Sequence, residues 1–144
     1  MDKKKYKNYE DKASEYYKKR KFPKHIEKVQ EISLLLSDIV ELNDDERRLV
    51  SLGAILHDIG KSKNKSVKKF IKKQGKCKHN VSGAKYLKKE FFSDDISDEE
   101  KEIICNMVCY HRGKFKDVPA KHKKLVAIVR LADKISKVYK LEDK

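Results

Sequence analysis

Apolar residues recur along this chain at three-and-four spacing, the period that lays a stripe along one side of a helix. The clearest run is Leu125, Ile128, Val129, Ala132 and Ile135. Val29, Ile32 and Leu36 form a second stripe, and Ile104, Met107 and Val108 a third. No window alternates at period two over several residues, so the pattern predicts an all-α fold of about six to seven helices. Caps and breakers set the expected bounds. A charged helix covers Tyr6 to Arg20, and Pro23 suits the first turn of the next, about Pro23 to Leu42. Asn43-Asp44-Asp45 caps a helix of about Asp45 to Asp58. Ser66 to Gln74 is closed by Gly75, and His79 to Glu90 follows. Ser97-Asp98-Glu99-Glu100 is a capping box that opens a helix to Tyr110. His122 to Lys140 is the last helix, and Gly113 to Ala120 is the longest loop with a turn signal.

Several ionisable residues fall on or beside these stripes. His25 precedes Val29, Ile32 and Leu36 at i+4, i+7 and i+11, His111 continues Ile104, Met107 and Val108, and Asp133 is flanked by Val129 and Ala132. A carboxylate in such a place must be paired, hydrogen-bonded or metal-bound, because an unpaired buried charge costs roughly several kcal/mol. His79 opens a helix of its own. His57 and Asp58 stand side by side where the apolar Leu49–Leu56 stretch runs out into Gly60 and Lys61. Both side chains can aim at one point only if the backbone turns, and Gly60 is expected to supply that turn. Imidazole with carboxylate is a ligand set for Fe, Mn, Co, Ni or Zn rather than a calcium cage. The plainer readings are satisfied core histidines and an Asp133 paired with Arg130, one turn earlier. His122, in Lys121-His122-Lys123-Lys124, reads as a solvated surface residue.

In the order His25, His57-Asp58, His79, His111, Asp133 the chain resembles the HD-domain superfamily of metal-dependent phosphohydrolases, in its HDIG variety. The resemblance runs from about Phe22 to Lys137. It is carried also by Gly53-Ala54-Ile55-Leu56 and His79-Asn80-Val81-Ser82-Gly83-Ala84. Tyr110-His111-Arg112-Gly113-Lys114 and the Val129–Ser136 segment look similar to the HD domain of exopolyphosphatase and guanosine pentaphosphatase proteins. They look similar, too, to stand-alone HD hydrolases of diadenosine tetraphosphate. Ile59-Gly60-Lys61-Ser62 stands where alarmone hydrolases carry an acidic pair, and the Gly-Tyr-Pro tripeptide of cyclic-di-GMP phosphodiesterases is missing. The resemblance implies a single compact helical bundle over residues 22–144 with a metal site at its centre, preceded by a charged helix or arm over residues 1–21. It implies one or two divalent metals, magnesium being a further candidate. His25, His57, Asp58 and Asp133 would hold the first ion, and His79 with His111 the second. Asp58 would bridge them, the ions standing ~3.5–4 Å apart. Asp58 and Lys61 are the expected catalytic residues, and Lys61, Arg112, Lys114 and Arg130 the expected phosphate contacts. The expected reaction is hydrolysis of a nucleotide or another small phosphate ester or anhydride. The competing expectation is a non-catalytic module that binds nucleotide, polyphosphate or RNA.

Composition narrows the class. A chain of 144 residues forms one domain with a real core. A formal charge of +14 exceeds what solubility requires and points to an anionic partner, unless it reflects a general habit of lysine use. Basic runs interleave with Tyr6, Tyr9, Tyr16 and Tyr17, which would fit RNA, though no recognisable nucleic-acid motif accompanies them. Three cysteines without a CxxC pair, and Met-Asp-Lys-Lys-Lys without a following hydrophobic stretch, lead to the expectation of a cytoplasmic protein with reduced thiols. No stretch approaches a membrane span, so no membrane partner is expected; the oligomeric state stays open.

Overall fold

The computed structural model describes residues 1–17 and 23–138. The Lys18-Lys19-Arg20-Lys21 run, the boundary at Phe22 and the expected helix end at Lys140 lie outside these residues. Among the described residues seven α-helices follow one another: α1 Lys3–Glu15, α2 Lys24–Ile39, α3 Asp44–Leu56, α4 Lys65–Gln74, α5 His79–Tyr86, α6 Asp98–Cys109 and α7 Lys123–Val138. No strand occurs among the described residues, so the all-α expectation holds.

The expected caps at Asn43, Gly75 and Ser97 are present. Asn43 and Ser97 each accept a hydrogen bond from the backbone of the third residue of their helix, and Glu46 and Glu100 close both capping boxes. Gly75 ends α4 with a φ of 73°, a left-handed value that glycine adopts without strain. Three expected helices end early, the first of them at Glu15. The second stops at Ile39, where the chain reverses through Glu41 (φ 54°) and Leu42 N–H donates to Ser37 O. The fifth loosens at Tyr86 into a π-helical turn, Leu87–Phe91. That wider turn buries both Leu87 and Phe91 and leaves Lys88, Lys89 and Glu90 exposed.

Helix α3 is the centre of the bundle. Every residue from Leu49 to Leu56 is buried, because α1, α2, α6 and α7 all pack on it. Leu52, Ile55, Leu56, Ile104, Met107 and Val129 are fully enclosed. Helix α1 is anchored to this core. Tyr6 shares a hydrogen bond with Ser51 Oγ (2.7 Å), Tyr9 donates to Asp95 and packs on Phe91, and the N-terminal amine pairs with Glu100 at 2.9 Å. His122 corrects the surface expectation. It is 1% exposed and bonded to Asn106 Nδ2 (2.8 Å) and Glu99 Oε1 (3.1 Å). Its polar sequence neighbours gave no hint of these partners, which come from α6. The three cysteines are free thiols. No helix among the described residues is long and apolar enough to cross a membrane.

Candidate metal centre

Four elements meet at one end of α3. His25 comes from the first turn of α2, His57 and Asp58 from the end of α3, His111 from just beyond α6, and Asp133 from α7. Their polar atoms converge. Asp133 Oδ1 is 3.1 Å from His25 Nε2 and 3.5 Å from His57 Nε2. Asp58 Oδ2 is 3.5 Å from His25 Nε2 and 3.4 Å from His57 Nε2, and Asp58 Oδ1 is 3.7 Å from His111 Nε2. The Nε2 atoms of His25 and His57 are 3.3 Å apart.

The other ring nitrogens explain why the Nε2 atoms face inward. His57 Nδ1 donates to Ala54 O (2.6 Å), His111 Nδ1 to Val108 O (2.7 Å) and His79 Nδ1 to Gly60 O (3.1 Å). A carbonyl only accepts, so the proton sits on Nδ1 and the Nε2 lone pair is left for a cation. His25 is held by a relay: Ser136 Oγ donates to Asp133 O (2.6 Å) and lies 3.4 Å from His25 Nδ1. Asp133 Oδ1 is buried and makes no hydrogen bond of acceptable geometry. Lone pairs crowded at 3.1–3.7 Å, with one orphaned carboxylate oxygen among them, repel unless a proton or a metal ion lies between. Among the described residues two triads have ligand atoms mutually within 4.8 Å, His25–His57–Asp58 and His57–His111–Asp133. The donor set fits a divalent transition metal.

Protonation follows the same geometry. Burial alone would lower His57, but the carboxylates of Asp133 and Asp58 outweigh it and hold its pKa up to about 9. In the metal-free protein that proton acts where a cation would. Burial would raise Asp58 and Asp133. Instead, His57 with Lys61 and His111 holds Asp58 well below the usual carboxylate range, and His25, His57 and Lys137 do the same for Asp133. Burial and the neighbouring His57 charge push His111 down to about 4.

Gly60 belongs to this centre for a different reason from the one expected. Its φ is not left-handed, and the turn is made by Asp58 (φ −102°, ψ 19°), which leads into a 3-10 turn over Ile59–Lys61. Gly60 is needed for clearance: a Cβ there would stand 2.1 Å from His79 O. The chain after the His-Asp pair thus lies directly on the start of α5.

The expected residues are not all in one place. A cavity of about 280 Å³ beside the cluster is lined by His57, Asp58, Lys61, His79, His111 and Arg112 among others. His79 is on its wall but in neither triad. Lys61 Nζ is 4.0 Å from Asp58 Oδ1. Lys114 is exposed and is not on the wall of this cavity. Arg130 donates to Tyr110 O (3.2 Å) and lies over the Phe115 ring, bracing the loop that carries His111. The plainer alternative, an Arg130–Asp133 pair, does not form: Lys137 takes that place, its Nζ 3.3 Å from Asp133 Oδ2. Sequence reasoning missed Lys78 and Asn80 on the cavity wall and Ser136 behind His25. Lys137, at i+4 from Asp133, was open to discovery from helical spacing alone.

Comparison with known proteins agrees with this geometry. Over 73 residues the chain is 33% identical to a tRNA (cytidine(56)-2'-O)-methyltransferase of Picrophilus torridus, a match that spans 51% of this chain and 18% of that enzyme. No solved structure matches. Residues 24–137 match the family model of the HD domain, a span that covers well over half of the chain and includes the six proposed ligands. The chain belongs to the HD-domain family.

Proposed function

We propose that this protein is a metal-dependent phosphohydrolase that acts on a nucleotide or a similarly small phosphate ester or anhydride. The observation that carries the reading is the convergence of the His25, His57 and His111 Nε2 atoms on the Asp58 and Asp133 carboxylates, beside a cavity rimmed by Lys61, Lys78 and Arg112. His25, His57, Asp58 and Asp133 would hold one ion, and His111 and His79 would serve a second that shares Asp58. When bound, such ions supply Lewis acidity and make water a competent nucleophile near neutral pH. The chain's own residues do the rest. Lys61, Lys78 and Arg112 neutralise phosphate oxygens as charge builds on them, and Asp58, kept ionised, orients the attacking water. Methyl transfer is not carried over from the methyltransferase, of which this chain matches only 18%.

The test is elemental analysis of protein purified without chelator, then a hydrolysis screen of nucleotides, dinucleoside polyphosphates and polyphosphate. About two ions per chain are expected, falling toward one in His79→Ala. One ion per wild-type chain under metal-replete conditions removes the two-ion arrangement. No metal and no turnover would favour a binding module instead.

A further inference from the structure

The positive charge of this protein is not spread along the chain. Between Ile59 and Lys89 there are twelve lysines and no aspartate or glutamate, whereas elsewhere 25 basic residues face 23 acidic ones. A general habit of lysine use does not produce that contrast. Helix α4 organises the charge. Lys65, Lys68, Lys69, Lys72, Lys73 and Lys76 recur at helical spacing and are exposed, while Val67, Phe70 and Ile71 turn toward the core. Among the described residues no carboxylate pairs with any of these six lysines. Lys7, Arg48, Lys121 and Lys137, by contrast, all have acidic partners. Like charges one turn apart repel, and a row of them with no partner gains most from a polyanion.

The segment also joins two cavities. Lys78, after α4, lines the one beside the metal cluster. Lys63, before α4, lines a second cavity of about 430 Å³, and Lys61 lines both. The second cavity is walled by Tyr16, Tyr17, Pro23 and Ile26, and by His25 and Asp58 of the metal cluster. Both tyrosines are fixed, Tyr17 by donating to Ile55 O (2.7 Å) and Tyr16 by accepting from Tyr86 (3.1 Å). Both tyrosines lie outside the span that matches the HD-domain model.

We propose that the Ile59–Lys89 segment and this cavity bind single-stranded nucleic acid, the lysines along the phosphate backbone and a base against the tyrosine rings. Unpaired bases are what an aromatic wall can stack, and phosphates are what the lysines can neutralise. Polyphosphate would engage the lysines and leave the aromatic wall without a role; a duplex would hide its bases. The proposal does not rest on hydrolysis at the metal centre.

The experiment is fluorescence anisotropy of the full chain with an unstructured RNA of about 16 nucleotides. It is repeated with DNA of the same sequence, with abasic RNA of the same length and with inorganic polyphosphate. RNA and DNA should both bind, losing affinity steeply between about 50 and 200 mM salt. Replacing Lys68, Lys69, Lys72 and Lys73 by Gln should reduce the salt slope by about 3, at about 0.7 per phosphate contact. The same change at the exposed Lys3, Lys116, Lys124 and Lys134 should leave the slope unaltered. Abasic RNA and Tyr17→Leu should each weaken binding about tenfold, while Tyr17→Phe should not. If the second lysine set flattens the slope as much as the first, the charge is diffuse and the proposal fails. It fails equally if abasic RNA or polyphosphate binds as tightly as intact RNA, a comparison that stands even if Tyr17→Leu does not fold. Metal content and turnover are separate readouts, so failure here is distinguishable from failure of the hydrolase reading.

Discussion

Asp133 is the residue on which the metal centre turns. It is 3% exposed, its Oδ1 faces the His25 and His57 ring nitrogens, and its Oδ2 pairs with Lys137. Asp133→Ala should therefore strip metal and activity while leaving helical circular dichroism intact, read by elemental analysis beside the spectrum. Full metal content in that variant would mean that the Asp133–Lys137 pair is the residue's real task. His57 adds a pH dependence whose sign is fixed by its pKa. Folding raises it from 6.5 to about 9, so its proton stabilises the metal-free fold below pH 6.5, and that contribution disappears as pH rises through 9. An incoming metal must displace the same proton. Metal affinity should thus rise by about tenfold per pH unit from His57 alone until pH 9, measured against a competing chelator. An affinity that does not change between pH 7 and pH 9 would remove His57 from the ligand set. His111, held down near 4, has no proton to lose in this range.

Between elements, the decisive contact is that of the Ile59–Lys61 turn with α5. Gly60 leaves no room for a methyl group against His79 O, and Gly83 on α5 meets the same turn, its would-be Cβ 3.0 Å from Gly60 N. Gly60→Ala should push the His-Asp turn and His79 apart. An overpacked contact of this kind costs about 1–3 kcal/mol, to be read by urea unfolding. Gly83→Ala should cost less, since its contacts are tight rather than impossible. A Gly60→Ala protein as stable as wild type would mean that the turn has slack, and that His79 is not held in place by it. The Asn43 cap, the Ser97 capping box, the α4 stop at Gly75 and the apolar stripes were all legible beforehand, because each is set by residues within one or two helical turns. The early end of α2 and the π turn after α5 were not. Both are settled by which apolar residues the neighbouring helices accept.

For the molecule as a whole, charge is the organising quantity. Lys61 lies between two cavities, 4.0 Å from Asp58, at the start of the lysine-rich segment. Lys61→Ala should lower kcat/KM for a hydrolysed nucleotide by about 10²-fold, the scale for removing one preorganised electrostatic contact. Steady-state kinetics with an unchanged metal content would establish it, whereas an unaltered kcat/KM would assign phosphate binding to Lys78 and Arg112. The sequence by itself determined the helical class, most helix starts, and the order of His25, His57-Asp58, His79, His111 and Asp133, since periodicity, caps and motif spacing are local or directly countable. Tertiary structure alone decided which of these residues meet. It drew His111 into a triad with His57 and Asp133, left His79 on the cavity wall, and turned Arg130 to Phe115 and Tyr110. It also enclosed His122, and set Tyr16 and Tyr17 beside the centre. Each of those outcomes depends on how helices distant in sequence pack, and a pattern read along one chain carries no measure of that distance.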